Sequence, residues 1–141
     1  MKKSERVITF GVFDTLHYGH LLLFKKCKTL GDYLIVAVHK DEFVKVNKPD
    51  CNLVFNENER VAMVESIRYV DKVILYNQID ADLPFVDFDI LAVGPDQTNE
   101  HFQKAISFAR ANGKKVVVLP RTENISSSLL RKRRNDAANK K

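Results

Sequence analysis

Five short runs of apolar and β-branched residues recur along the chain, each bounded by polar or turn-forming residues. They are "VITFGVF" (7–13), "YLIVAV" (33–38), "KVILY" (72–76), "ILAVG" (90–94) and "KVVVLP" (115–120). Their apolar character is nearly continuous rather than alternating, which is typical of strands that are covered on both faces. The runs therefore predict a parallel sheet of five strands.

Helix-like segments separate these runs and carry recognisable ends. Asn56 or Asn58 suits a helix N-cap, and Gly31 and Gly113 follow apolar stripes where a helix should end. The segments are 19–31, 56–70, 99–113 and 126–134, whereas 43–58 and 77–88 are predicted to be irregular. Alternating strands and helices predict an α/β fold, with a Rossmann-like, doubly wound, five-stranded parallel sheet and helices on both faces.

The length of 141 residues suits one domain, predicted over residues 1–130. The net charge of +5 comes from the tail 131–141, which holds six Lys or Arg and one Asp, so residues 1–130 are neutral overall. We interpret the tail as a solvated helix end. RNA or membrane binding by it is the less favoured alternative, because no aromatic residues that would stack on bases are interleaved. We expect neither a nucleic-acid nor a membrane partner.

Neither the cysteines nor the apolar segments indicate a secreted, membrane or zinc-binding protein. No apolar stretch approaches the ~20 residues that span a bilayer. The charged start "MKKSER" leads into a strand-like run rather than into a signal-peptide core. Cys27 and Cys51 form no CxxC pair, so they predict a buried helix thiol and a loop residue. We expect a cytoplasmic protein.

The stretch "GVFDTLHYGH" connects the first predicted strand to the first predicted helix. In open α/β sheets, ligands bind at the carboxyl ends of the strands, and helix N-termini hold phosphate readily. Gly11 and Gly19 lack a Cβ, so the backbone can approach a phosphate closely. His17 and His20 are three residues apart, so both can donate to charge that builds on one phosphate. Two unrelated histidines and a metal-binding pair, for which no third ligand is apparent nearby, are the alternatives.

Three longer stretches resemble the glycerol-3-phosphate cytidylyltransferase family of the HxGH nucleotidyltransferase superfamily. They are "VITFGVFDTLHYGHLLLFKKCKTLGDYLIVAVHKDEF", "ESIRYVDKVI" and "LPRTENISSSLL", and the likeness extends over residues 6–130. It implies transfer of CMP from CTP to a phosphorylated acceptor, with release of pyrophosphate and no covalent enzyme intermediate. It also implies Mg²⁺ or another divalent cation on the triphosphate, and a homodimer.

The resemblance assigns roles to named positions. The implied catalytic residues are His17, His20, Lys48 and Arg121. The implied nucleotide-binding residues are Gly11, Val12, Phe13, His17, Gly19, His20, Asp96, Arg121, Ser126 and Ser127. The implied acceptor-binding residues are Asp14, Lys45, Arg60 and Arg68. No side chain is assigned to a metal, apart from Asp14 as an option.

Several of these positions have alternative interpretations. Asp14 serves magnesium or the acceptor, or it caps the turn. Arg60 and Arg68 are placed on one helix about 80° apart, where they share a face that lines the site or is merely solvated. Arg121 is a phosphate ligand or a surface arginine. The serines at 126–128 form an N-cap cluster, which is compatible with phosphate binding.

The sequence departs from the family pattern where the acceptor should bind. The family carries a Trp and several lysines after the third strand, but this chain has "NQIDADLPFVD", which adds Asp80, Asp82 and Asp87. After the fourth strand it has "GPDQ" in place of Gly-Asp-Asp-Trp. We therefore expect an acceptor other than glycerol 3-phosphate, such as a phosphorylated amino acid (glutamine phosphate, for example) used in capsule or teichoic acid precursors. Glycerol 3-phosphate itself, an adenylyltransferase of the FAD synthetase kind and a non-catalytic nucleotide-binding module are the alternatives.

Overall fold

A five-stranded sheet organises the protein in a computed structural model, which describes residues 5–47 and 52–120. The strands are β1 (Arg6–Gly11), β2 (Tyr33–His39), β3 (Lys72–Tyr76), β4 (Ile90–Val93) and β5 (Lys115–Val118). All pairings are parallel and the order is β3-β2-β1-β4-β5. The chain moves outward from β1 to β3 and returns to the other side of β1, so the direction reverses between β1 and β4. The predicted doubly wound sheet is confirmed.

Helices cover both faces of this sheet. Successive residues of β1 point to opposite faces, with Ile8 and Phe10 in one core cluster and Val7 in the other. The cluster of Val7 is completed by α1 (Tyr18–Leu30) and α3 (Glu57–Glu65). The cluster of Ile8 is completed by α4 (Ile79–Asp82), a short 3₁₀ helix (Leu83–Phe85) and α5 (Glu100–Ala111). Burial on both faces explains the continuous apolar strands.

Asparagine caps fix the starts of two helices. Asn56 is the N-cap of α3, where its side chain accepts from the backbone N–H of Glu59 at 2.9 Å and Glu59 accepts from Asn56 N–H in return. Asn99 caps α5 by accepting from the backbone N–H of Phe102 at 3.0 Å. Both contacts satisfy backbone donors that a helix start otherwise leaves unpaired.

Gly31 ends α1 as predicted, but for a different physical reason from a left-handed cap. Its backbone is extended, with φ −157° and ψ 177°. A Cβ at this position would lie 2.6 Å from the carbonyl oxygen of Glu5 and 2.9 Å from a side-chain carbon of Val7. Glycine is therefore needed because the start of β1 approaches the end of α1 closely.

The two stretches predicted to be irregular contain helices, so that prediction was wrong. α2 (Asp41–Asn47) begins just before the first stretch and overlaps its first five residues. α4 and the 3₁₀ helix lie within the second stretch. In the second stretch Ile79 and Leu83 are buried, and Asp82 accepts from the backbone N–H of Asn77 at 2.5 Å. Such short helices depend on tertiary packing rather than on local periodicity, which is why the pattern missed them.

Three further predictions concern the cysteines, the tail and the membrane. Cys27 is buried on α1 as predicted, and burial raises the pKa of its thiol to about 12, so the thiol is unreactive. Cys51 and the tail 131–141 lie outside the described residues. Across the described ranges, no helix combines the length and the apolar character needed to cross a bilayer.

Candidate active site

A cavity of about 460 Å³ opens at the carboxyl edge of the sheet, where the strand order reverses. This is the edge at which open α/β sheets bind ligands. Its walls come from the ends of β1 to β4, from α1, α2 and α4, and from the start of α5. The lining residues are Gly11, Val12, Phe13, His20, His39, Val44, Tyr76, Gln78, Ile79, Asp96, Gln97, Asn99, His101 and Phe102.

His17 and His20 form a capping box at the start of α1. His17 is the N-cap, and its Nδ1 accepts from the backbone N–H of Gly19 at 3.0 Å. The Nδ1 of His20 accepts in return from the backbone N–H of His17 at 3.2 Å. The ring centroids lie 4.1 Å apart. The predicted juxtaposition of the two imidazoles is confirmed, and histidines take the places usually held by Ser or Thr and by Glu or Gln.

These hydrogen bonds determine the protonation of both rings. An Nδ1 that accepts a hydrogen bond carries no proton, so the proton of each neutral imidazole is on Nε2. Burial, with the adjacent His17 ring as a second cause, lowers the pKa of His20 from 6.5 to about 4. At neutral pH His20 is therefore an uncharged N–H donor in the wall of the cavity.

The lowered pKa of His20 predicts a loss of stability in mild acid. The unfolded chain takes up a proton on His20 below about pH 6.5, whereas the folded protein resists this until about pH 4. The contribution of His20 to the free energy of unfolding is therefore fully present above pH 6.5. It is lost, by roughly 3 kcal/mol, as the pH falls toward 4. Urea denaturation at pH 7.5, 6 and 5 should show a steeper fall in unfolding free energy for the wild type than for His20→Gln. Parallel curves for the two proteins would refute the assignment.

Phe13 has a backbone conformation that is rare outside glycine. Its φ is +54°, and among the described residues it is the single non-glycine with a positive φ. Its buried ring meets His20 edge-on at 5.4 Å and Phe24 at 5.3 Å, and it covers Gly11. A Cβ on Gly11 would lie 2.7 to 3.1 Å from three atoms of the Phe13 ring. Gly11 therefore makes room for the Phe13 ring, a role that differs from the predicted close approach of a phosphate.

Arg60 holds the segment around Phe13 by a hydrogen bond to the neighbouring residue, Val12. Its side chain is fully buried, so the solvated-face interpretation is wrong. The guanidinium donates to the carbonyl of Val12 at 2.7 Å, to that of Phe55 at 3.2 Å and to the carboxylate of Asp41 at 2.5 Å. Because these hydrogen bonds are made within the protein, Arg60 is a positioning residue for the segment between β1 and α1.

Asp14 fastens the same segment to residues 52–56. Its Oδ2 accepts from the backbone N–H of Val54 at 2.9 Å, and its Oδ1 accepts from that of Phe55, also at 2.9 Å. This is the turn-stabilising alternative of the sequence interpretation. Among the described residues, no three His, Cys, Asp or Glu side chains are grouped so that they could hold a metal ion.

The remaining predicted acceptor residues lie elsewhere on the surface. Lys45 is exposed in the last turn of α2. Arg68 is exposed in a turn, because α3 ends at Glu65 and not at residue 70. Arg60 and Arg68 thus do not share a helix face, contrary to the prediction. Lys48, Arg121, Ser126 and Ser127 lie outside the described residues, and their roles stay predictions.

Two histidines in the cavity wall were missed by the sequence analysis. His39, the last residue of β2, is buried against Tyr76 with nearly parallel rings 4.4 Å apart, and its Nε2 lies 2.7 Å from the carbonyl oxygen of Asn77. His101 lies near the start of α5, with Nδ1 2.9 Å from an oxygen of Asp80. Their positions at strand and helix ends on the ligand-binding edge were the available signal.

Gln97 holds the two sides of the crevice together. Its side-chain oxygen accepts from the backbone N–H of Gly94 at 2.9 Å, and its side-chain nitrogen donates to the carbonyl of Phe10 at 2.8 Å. These bonds join the ends of β4 and β1 where the strand order reverses. The predicted nucleotide-side residues Gly11, Val12, Phe13, His20 and Asp96 meet around this crevice.

A family model and curated relatives both show similarity to cytidylyltransferases. The Cytidylyltransferase-like family model matches residues 8–133. The chain is 37% identical to the glycerol-3-phosphate cytidylyltransferase of Staphylococcus aureus over 130 residues, which is 90% of this chain and 92% of that protein. It is 39% identical to the FAD synthase of Thermococcus kodakarensis over 99 residues, which is 68% of this chain and 66% of that protein.

A solved structure shares the fold. The lipopolysaccharide core biosynthesis protein from Thermoplasma volcanium is 31% identical, with a TM-score of 0.68 over 85% of this chain and 98% of that one. Of the paired histidines at the start of α1, His20 lines the cavity, whereas His17 and Gly19 are not among its lining residues. The family model and the relative from Staphylococcus aureus each extend over most of the chain. The chain therefore belongs to the cytidylyltransferase-like family of nucleotidyltransferases.

Proposed function

We propose that the protein transfers CMP from CTP to a phosphorylated small-molecule acceptor and releases pyrophosphate. The observation that carries this proposal is the reciprocal capping of His17 and His20, which places the protons of both neutral rings on Nε2. Uncharged N–H donors at a helix start suit phosphate oxygens on which charge increases in the transition state.

The proposed reaction needs no nucleophile from the protein. An oxygen of the acceptor phosphate attacks the α-phosphorus of CTP in line, and the bond between this phosphorus and the bridging oxygen breaks as pyrophosphate leaves. A phosphomonoester is largely a dianion at neutral pH, so no proton has to be removed first. The protein contributes position and charge stabilisation, which is the main source of catalysis in phosphoryl transfer.

Magnesium belongs to the proposal as a partner of CTP. Mg²⁺ prefers oxygen ligands and commonly binds substrate phosphates while it retains several waters. The carboxylate of Asp14 is already hydrogen-bonded to two backbone N–H groups, so it does not support a protein-held ion. We propose that the divalent cation enters on the triphosphate, and no step above depends on it.

The acceptor in this proposal differs from glycerol 3-phosphate and bears an amino or amide group. Among the described residues that line the cavity there is no Lys or Arg. Of the three added aspartates, Asp82 binds the Asn77 backbone and Asp87 is exposed, so Asp80 is the one that reaches the cavity wall, through His101. We further propose a cytoplasmic homodimer that makes cell-surface polysaccharide precursors, on the basis of the family resemblance.

Pyrophosphate release from CTP tests this proposal directly. The acceptors to compare are glutamine phosphate, phosphoethanolamine and glycerol 3-phosphate, each at equal concentration with CTP and Mg²⁺. We expect turnover with CTP, fastest with an acceptor that carries nitrogen. Fastest turnover with glycerol 3-phosphate would refute the proposed acceptor class and leave CMP transfer intact.

A second candidate function is adenylyl transfer, which the similarity to an archaeal FAD synthase favours. The same assay with ATP and FMN separates the two functions. We expect ATP to be a poor substrate, so equal or faster turnover with ATP than with CTP would favour the second candidate. No release from either nucleotide with any acceptor would indicate a non-catalytic module.

A further inference from the structure

An imidazole in the wall of the cavity, His101, is paired with a carboxylate, Asp80, and the proposed CMP transfer does not use this pair. Asp80 belongs to α4, which follows β3, and His101 belongs to the first turn of α5, which follows β4. The Nδ1 of His101 lies 2.9 Å from an oxygen of Asp80, and His101 lines the cavity. The side chain of His101 is 40% exposed and that of Asp80 is 22% exposed. His101 is therefore accessible from the cavity, whereas Asp80 contacts the ring without being a lining residue itself.

The pairing determines what His101 presents to a ligand. An ionised carboxylate can only accept hydrogen bonds, so the Nδ1 next to Asp80 carries a proton. In the neutral ring Nε2 is then an acceptor, which is the reverse of the arrangement in His17 and His20. The two sides of the cavity thus have opposite hydrogen-bonding character: donors toward phosphate at α1, and an acceptor at His101.

The sheet topology places Asp80 away from the nucleotide crevice. The crevice lies between the ends of β1 and β4, whereas β2 and β3 lie one and two strands further along the sheet. Neighbouring strands are about 4.8 Å apart, so the end of β3 is roughly 10 Å from β1. Asp80 follows β3, on the side of the cavity that remains for the second substrate.

The charges on this side favour a hydrogen-bond donor in the ligand. The segment 77–82 carries two carboxylates, Asp80 and Asp82, and no Lys or Arg. The part of the cavity lining that the structure describes offers no Lys or Arg there. A second anionic group on the ligand would approach a carboxylate, and no Lys or Arg among the described lining residues would offset that repulsion.

We propose that the Asp80–His101 pair binds the non-phosphate end of the acceptor and sets its specificity. His101 Nε2 accepts from an ammonium, amide or hydroxyl group there, and Asp80 orients the ring and repels acceptors whose far end carries a net negative charge. This inference rests on the proposed function and names the substrate class: phosphorylated acceptors whose other end donates hydrogen bonds and carries no net negative charge, as in an ammonium, an amide, a hydroxyl or a zwitterionic amino-acid group.

Matched pairs of acceptors test the proposal in the full chain. Glycerol 3-phosphate has a hydroxymethyl group where 3-phosphoglycerate has a carboxylate. Phosphoethanolamine has an ammonium-bearing carbon where phosphoglycolate has a carboxylate. In each pair we expect the uncharged or cationic member to have a kcat/KM at least ~10-fold above the carboxylate. A preference for the carboxylates would overturn the proposal.

Two substitutions separate binding from folding. In His101→Asn, the side-chain amide still donates toward Asp80, but the acceptor Nε2 is lost. In Asp80→Asn, the negative charge that repels anionic acceptors is lost. We expect His101→Asn to raise the KM of the preferred acceptor on the order of 10–100-fold, with the KM of CTP and the unfolding midpoint unchanged. We expect Asp80→Asn to narrow the discrimination against carboxylates. Lys104→Gln, on the exposed side of the same helix, is the matched control and should behave like the wild type.

The outcomes distinguish this proposal from the proposed function. A raised KM for CTP with an unchanged KM for the acceptor would overturn the assignment of the pair, although CMP transfer would stand. Unchanged constants for both substrates in His101→Asn would also overturn it. Calorimetry of CTP binding, which needs no acceptor, shows separately whether the nucleotide site exists. Absence of CTP binding and of pyrophosphate release would overturn both proposals.

Discussion

Replacing His20 by glutamine is expected to lower kcat on the order of 10²–10³-fold while the protein remains folded. The substitution removes the Nε2–H donor from the cavity wall. Glutamine, however, is a usual residue at the third position of a capping box, so its side-chain oxygen can still accept from the His17 backbone. Steady-state pyrophosphate release and a thermal unfolding curve measure the two effects separately.

The control for this prediction is Lys25→Gln, an exposed position on the same helix. It introduces the same residue outside the cavity, so turnover should equal that of the wild type. His17→Ser retains a helix N-cap and removes the second imidazole, and we expect a loss of similar size. Wild-type turnover in His20→Gln would exclude His20 from charge stabilisation in the transition state.

Replacing Arg60 by methionine is expected to lower the free energy of unfolding by about 3 kcal/mol or more. The guanidinium is fully buried and donates to two carbonyls and to Asp41. Methionine fills much of the volume but leaves those acceptors without their donors. Since one of the carbonyls belongs to Val12, we also expect kcat to fall as Phe13 loses its support. Urea denaturation and pyrophosphate release measure the two consequences.

A second substitution tests whether the unpaired carboxylate causes the loss. In Arg60→Met combined with Asp41→Asn, neither partner of the former ion pair carries a charge, so part of the lost stability should return. Arg110→Met, an exposed arginine in the last turn of α5, should change stability by no more than ~0.5 kcal/mol. If Arg60→Met is as stable as Arg110→Met, the anchoring role is wrong.

The sheet could be predicted because its information is local and redundant. Each strand is a continuous apolar run, and the observed strands coincide with the five predicted runs to within a few residues. Helix starts were also predictable wherever a side chain caps them, as Asn56 does for α3. The paired histidines were found because their spacing and their place after β1 have a direct geometric meaning.

Other features of the site have no local signature. The pattern extended α3 to residue 70, whereas the chain turns at Ser66, whose hydroxyl donates to the carbonyl of Met63. Arg60 appears in the sequence as one more charge on an amphipathic helix, and only the fold shows that it is buried among acceptors from three segments. Asp80 and His101 are 21 residues apart, so their pairing depends on how α4 and α5 pack.

The amino-acid sequence by itself determined the doubly wound sheet and the position of the paired histidines after β1, and its resemblance to known stretches indicated the family. The sheet and the histidine pair depend on apolar periodicity and short-range spacing, which a linear pattern preserves. The tertiary structure decided which polar side chains face the cavity and which are hydrogen-bonded to other groups inside the protein. That choice reflects the cost of leaving buried charges and hydrogen-bonding groups unpaired, and the partners that remove this cost come from distant segments.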